Sequence, residues 1–217
     1  MRKLQQELDH LCSVPEYTIY DGSQILRDEF RGFSYLIDIL KSSENEIVAR
    51  LPFLKLREIS PRLLFAELKE EIARNFSEDS VNAGYENPDS INHFYIRMPH
   101  YPEEKCYENL GCFCGVKIGG DKMVLCMDQI DVDLYTDLPY NILYTFLFGT
   151  LIAYVYKKEF AGCMFDFQNS YVRKEDLPEI AKILESDIEM DECTITIKKP
   201  FTSLETVEFE DLKIEIR

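Results

Sequence analysis

The sequence predicts an α+β protein in which a large mixed sheet packs on long helices, with one central helix buried on most sides. Three observations carry that expectation. Ile142 to Tyr156 (ILYTFLFGTLIAYVY) is an apolar run of helical length, interrupted only by Thr145, Gly149 and Thr150. On either side of it, segments of helical period alternate with segments of strand character instead of forming separate blocks. Hydrophobic residues make up 46% of the 217 positions, with 13 Tyr and 14 Phe, while Gly and Pro number nine each. That composition supplies a substantial core and excludes disorder, collagen-like repeats and low-complexity scaffolds. At roughly 100–200 residues per domain, and with no internal repeat or linker-like stretch, the chain reads as one domain over 1–217.

In chain order, residues 2–12 read as a short amphipathic helix with Leu4, Leu8 and Leu11 on one stripe. Phe33, Leu36, Ile37 and Leu40 recur at i, i+3, i+4 and i+7, which predicts a second helix. Ile47 to Phe53 reads as a strand stopped by proline. Ser60-Pro61 supplies a cap and a first-turn proline for a helix whose stripe is Phe65, Leu68, Ile72 and Phe76. Residues 75–90 have turn composition. Strands are expected near 93–98, 111–118 and 122–134, the last two joined through Gly119-Gly120-Asp121 as a hairpin. Pro139 fits the first turn of the buried helix, where a missing N–H costs nothing. A strand near 162–172, a helix over about 174–185, and strands at 194–198 and 207–216 complete the chain.

Lys and Arg number 24 against 40 Asp and Glu, a formal net charge of −16. A field of that sign argues against general nucleic-acid binding and against acidic membrane surfaces. The apolar run falls short of the roughly 20 residues that span a bilayer, so no membrane role is expected. The start, MRKLQQELDH, has no apolar signal segment, and the seven cysteines are odd in number and scattered, which together predict a cytoplasmic protein with reduced thiols. No CxxC pair occurs, and Cys112 and Cys114 have no second pair at ligand spacing, so no metal site is expected. Cys112 and Cys114 read as strand side chains facing the core. His10, His93 and His100 stand isolated, and neither a glycine-rich phosphate loop nor a Ser-His-Asp set is present.

One segment carries a specific resemblance. Gln129-Ile130-Asp131-Val132-Asp133-Leu134-Tyr135-Thr136-Asp137-Leu138-Pro139-Tyr140-Asn141-Ile142 is similar to the pattern Q-R-S-x-D-x-x-L-G-x-P-F-N-I of the thymidylate synthase and pyrimidine hydroxymethylase family. Gln129, Asp133, Pro139, Asn141 and Ile142 match at the same spacing, and Tyr140 replaces Phe. Weaker collinear matches are Tyr20-Asp21-Gly22 with the Phe33–Lys41 segment (a turn and the next helix in the family), Asp166 to Tyr171, and Ile195 to Leu212. The resemblance covers 20–53 and 109–213, and 54–108 reads as an unmatched insertion. The family's N-terminal quarter and its final strand and tail have no counterpart.

The resemblance implies a thymidylate-synthase-like fold, a homodimer built by face-to-face sheets, and a pyrimidine as the small-molecule ligand. Family members transfer a one-carbon unit to C5 of a pyrimidine, drawing on methylenetetrahydrofolate. Because C5 is a weak nucleophile, a cysteine thiolate first adds to C6. By position, Asn141 would read the base edge through its amide, with Gln129 beside it; the plain alternative is an asparagine capping the buried helix. Asp133 would sit near folate and the reacting water, or else be a surface carboxylate on a strand. Tyr171 would contact the ribose, but the histidine expected two positions earlier is Asn169. Cys106 fills the nucleophile slot only if four extra residues are allowed. There Lys105 would lower its thiol pKa and Glu103, Glu104 and Glu108 would raise it.

The departures bear on phosphate. Ile130 and Asp131 stand where the family has arginine and serine, and Asn45 and Glu46 stand where the partner subunit lends two arginines. Charge-assisted contacts to an anion contribute about 1.5–3 kcal/mol each, so their loss removes monophosphate binding unless Arg57, Arg62 or Arg97 replaces them. Two readings follow. One is a non-catalytic dimer that keeps the fold, with no cofactor. The other is a one-carbon transferase with Cys106 as nucleophile and Asp133 assisting. The first accounts for the lost arginines, the displaced nucleophile slot and the missing C-terminal part with one assumption. The second would act on a pyrimidine that carries no phosphate, because residues 121–137 hold five acids against Lys122 alone, and residues 175–217 hold 13 acids against five bases.

Overall fold

In the computed structural model, residues 2–13, 18–20, 23–27, 33–51, 56–75, 92–95, 112–185 and 191–217 are described. Among them lie four α-helices and two sheets. The helices are α1 (Arg2–Cys12), α2 (Pro61–Asn75), α3 (Asp137–Val155) and α4 (Leu177–Glu185). The strands are β1 (Thr18–Tyr20), β2 (Ser23–Arg27), β3 (Phe33–Leu36), β4 (Asp38–Ser42), β5 (Glu46–Leu51), β6 (Asn92–Tyr95), β7 (Cys112–Gly119), β8 (Lys122–Asp133), β9 (Glu159–Arg173), β10 (Asp191–Ile197) and β11 (Leu212–Ile216). The expected α+β class with a mixed sheet and a buried central helix is what these elements form.

The apolar run becomes α3, in which 15 residues are buried. A helix apolar all round has no solvent face to offer, so it must be packed on several sides. It packs on β8 and β9 of the larger sheet, on β5 of the smaller one and on α2. By length and composition α3 could cross a membrane, yet 83% of its apolar window is buried inside the protein.

The larger, seven-stranded sheet runs β1-β2-β9-β8-β7-β6, and β3 also pairs with β9. Its axis is the parallel pair β8–β9, in register from Lys122 opposite Glu159 to Asp133 opposite Tyr171. A parallel pair needs a crossover of a dozen or more residues, and α3 supplies it. The fifteen residues of β9 then serve three neighbours: β8 along one edge, and β3 (Phe33 opposite Phe167) and β2 (Arg27 opposite Tyr171) on the other. The expected β7–β8 hairpin is present, with Gly120 at φ 59 in its turn. The smaller sheet is antiparallel throughout, in the order β11-β10-β5-β4.

The expected helix over Phe33–Leu40 is wrong, and with it the likeness of that segment to a family helix. The residues form β3 and β4, which belong to different sheets. At the crossing point Ile37 is buried and its N–H donates to the Cys163 carbonyl at 3.0 Å. Leu36 and Leu40, which the helical stripe would bury, are 61% and 41% exposed. Backbone pairing with β9 and β5 decides the conformation, and the helical spacing of apolar residues is incidental. The last strand is also shorter than expected: a 3-10 turn at Phe209–Asp211 delays it to Leu212.

Within the core, α3 lies against the Phe160 side chain of β9 at Gly149. A Cβ there would meet Phe160 Cζ at 2.5 Å and Cε2 at 2.6 Å. Phe160 is fully buried and packs on Phe146 at 6.1 Å between ring centroids, so its ring has no room to yield. Gly149→Ala should therefore lower stability by about 1–3 kcal/mol, the usual cost of overpacking, despite alanine's higher helix propensity. In urea unfolding, Phe160→Leu added to Gly149→Ala should recover part of the loss; an unchanged or raised midpoint for Gly149→Ala alone would contradict the close contact.

Candidate functional site

The matched motif spans the end of β8, the turn Leu134–Thr136 and the start of α3. Asp133 is the last residue of β8 and is fully buried. Its Oδ1 accepts hydrogen bonds from the backbone N–H groups of Tyr135 at 2.9 Å and Thr136 at 3.1 Å. An aspartate that bonds the backbone two and three residues on shapes a tight turn. Its Oδ2 accepts from Arg173 Nε at 3.0 Å, an ion pair closing the far end of β9 onto β8. Burial works against the Arg173 charge, but the hydrogen bond and charge of Asp133 outweigh it and raise the guanidinium pKa above its ordinary value. Asp133 is thus no surface carboxylate.

Asn141 lies in the second turn of α3, while Thr136 occupies the N-cap. The capping alternative for Asn141 is therefore wrong. Its Nδ2 donates to Oε1 of Gln129 at 3.0 Å, and both side chains are buried. The amide pair bridges β8 and α3. Tyr171 is buried on β9 directly opposite Asp133, and its carbonyl accepts from the Leu134 N–H at 3.0 Å. Asn169 is half-buried, opposite Asp131. The structure therefore brings Gln129 to Asn141 and Tyr171 alongside Asp133. Cys106 lies outside the described residues, as do Arg97 and the side chains of Arg57, Cys112 and Cys114. Arg62, a candidate phosphate ligand, is committed elsewhere: it pairs with Glu210 and lies over the Phe209 ring at 5.0 Å.

Beside this motif is a cleft of about 460 Å³ between the start of α2, the start of α3 and the end of β9. Asp137, Tyr140 and Arg173 line it, together with carboxylates including Glu58, Glu67 and Glu175. The Tyr140 hydroxyl donates to Glu67. None of Gln129, Asp133, Asn141 or Tyr171 is on its wall. Asp137, which sequence reasoning passed over, is the titrating group here. Burial, and then the charge of Asp133, push its pKa up to about 7, against the opposing pull of Arg173 and the Thr136 hydroxyl. Desolvation thus sets Asp137 apart from an ordinary first-turn aspartate. Only the placement of Asp137 in the first turn, just before Leu138-Pro139, hinted at it. Among the described residues no group of three or more His, Cys, Asp or Glu is arranged to hold a metal ion.

No family model matches the chain, and no curated protein matches it. What the geometry defines is therefore a buried polar motif at a strand–helix junction, flanked by an acidic cleft.

Two outcomes follow from this geometry. Arg173→Met leaves the Asp133 carboxylate buried with backbone donors alone, and should cost about 3 kcal/mol, at the lower end for a broken buried pair because Arg173 is partly exposed. The Asp133→Asn/Arg173→Met double variant should recover much of that loss in a double-mutant cycle. Asp137 keeps its proton in the folded state up to about pH 7, whereas the unfolded chain releases it near 3.8. The folded state binds more protons across that window, so this residue's contribution to stability falls as pH rises through it. Asp137→Asn should accordingly raise the melting temperature more at pH 8 than at pH 5; an equal effect at both would show that Asp137 has an ordinary pKa.

Proposed function

We propose that this chain is a non-catalytic, homodimeric protein built on a thymidylate-synthase-like core, with its former substrate centre converted to a structural motif. The observation that carries this reading is the fate of the matched side chains. Asp133 spends both oxygens on Arg173 and the turn amides, and Asn141 and Gln129 bond each other out of contact with the cleft. Reading a base edge would require breaking contacts that are already satisfied and buried, each worth about 0.5–1.5 kcal/mol and more where charged. The cleft beside them carries several carboxylates against one guanidinium that is already paired, a poor receptor for a nucleotide phosphate. The strand–buried helix–parallel strand unit of β8, α3 and β9 lies on the residues that carry the resemblance, which fits this reading. For the dimer, Leu36 and Met164 stand opposite each other in β3 and β9, both well exposed, on the face that a second copy would cover.

The expected result with uridine, cytidine, their deoxy forms and their monophosphates is no change in melting temperature. With methylenetetrahydrofolate present, no product should form. A shift of several degrees, or turnover lost in Cys106→Ala, would overturn the proposal and establish the C5 one-carbon transferase instead. Light scattering should give twice the chain mass, falling to one chain mass in Leu36→Asp/Met164→Asp.

A further inference from the structure

A second cavity, of about 820 Å³, lies at the opposite end of α3 from the matched motif. It opens where the last turns of α3 meet β4, β5 and β10 of the smaller sheet. Its floor is apolar: Ile47, Ala153, Ile195 and Ile197 contribute buried side chains, and Tyr154 packs on Phe201 at 4.5 Å between centroids to form one wall. That volume falls within the range of small-molecule sites, which combine an apolar lining with a few placed polar groups.

The charges at its rim are mostly spent. Glu46 is held by Lys41, Glu159 pairs with Lys122 at 3.5 Å, and the Lys158 ammonium donates to the Gly120 carbonyl at 2.8 Å. Two lining side chains, Lys157 and Glu44, form no ion pair or hydrogen bond among the described residues. Lys157 holds φ at 52° as the residue just past the C-cap of α3, where its N–H donates to the Tyr154 carbonyl at 3.2 Å and the Lys158 N–H donates to the Ala153 carbonyl at 2.8 Å, the usual left-handed ending of a helix. It thereby sets a free ammonium immediately beyond the helix end. Ser42, also on the rim, accepts from the Phe160 N–H at 3.1 Å, which leaves its hydroxyl proton for a further acceptor. These donors fit one negative charge, and the unpaired Glu44 opposes a second.

We propose that this cavity is a binding site for a monocarboxylate with an extended apolar body, the carboxylate received by Lys157 and Ser42 and the body lying on Ile47, Ala153, Ile195 and Phe201. The site is independent of the motif at the other end of α3, so it stands whether or not that motif is catalytic.

Titration of the full chain with decanoate, decanol and decylamine, which share one ten-carbon body, separates the head groups. Decanoate should bind about tenfold or more tightly than the other two, as expected for one charge-assisted contact. Lys157→Gly should remove that preference while melting at or above the wild-type temperature, because glycine takes the same φ without strain. Ala153→Phe, which fills the floor, should abolish binding of decanoate. Equal binding of the alcohol or the amine, no binding of any of the three, or unchanged decanoate affinity in a folded Lys157→Gly would overturn the proposal.

Discussion

The carboxylate of Asp133 is where the architecture is tied. It sits at the end of β8, dictates the turn into α3 through two backbone amides, and reaches β9 through Arg173. One buried group thus fixes the exit of a strand, the entry of the core helix and the terminus of the parallel neighbour that the helix leads to. In a water-free setting such a group is stable only when its lone pairs are met, so the three segments cannot drift independently. The same charge acts on Asp137 one helical turn away, so the structural knot and the titrating carboxyl in the cleft are two expressions of one electrostatic arrangement.

Around that knot the two sheets divide the work. The larger sheet and α3 share a core in which Phe165 and Phe167 stack at 5.8 Å and Phe146 meets Phe160. The smaller sheet is joined to it through Ile37, where the chain passes from β3 to β4 without a loop, and through the C-terminal half of α3. Because the sheets converge on a single helix, its two ends open to different surroundings. The beginning looks into an acidic cleft, and the end looks into a cavity with an apolar floor and a rim of both lysines and glutamates.

Some of this was legible in the sequence and some could not be. The buried helix was plain because a run such as ILYTFLFGTLIAYV has no polar face, and the β7–β8 hairpin because Gly119-Gly120-Asp121 is turn chemistry in itself. The conformation of 33–42 was not, because the pairing that settles it joins Phe33 to Phe167 and Ile39 to Ala49. The family resemblance named Gln129, Asp133 and Asn141 as site residues, and the structure places all three at the junction of β8 and α3, with Asn141 bonded to Gln129. What those residues do there depends on Arg173, forty residues beyond Asp133, and on burial, neither of which has a local signature. Asp137 went unnoticed for the same reason: an aspartate in a first helical turn is ordinary until desolvation shifts its proton.

The length of β9 has a consequence for how the chain comes together. Strands β2 and β3 lie near the N-terminus, yet their partner is 159–173. During synthesis β2 finds β1 at once, but β3, and the second edge of β2, emerge more than a hundred residues before β9 exists to pair with them, and loop closure over that separation is slow. Until β9 arrives, segments such as FSYL are bare strand edges, the kind of surface on which unfinished chains associate. The place of β3 in the sheet is therefore completed only once β9, which follows β8 and α3 in the chain, has been made.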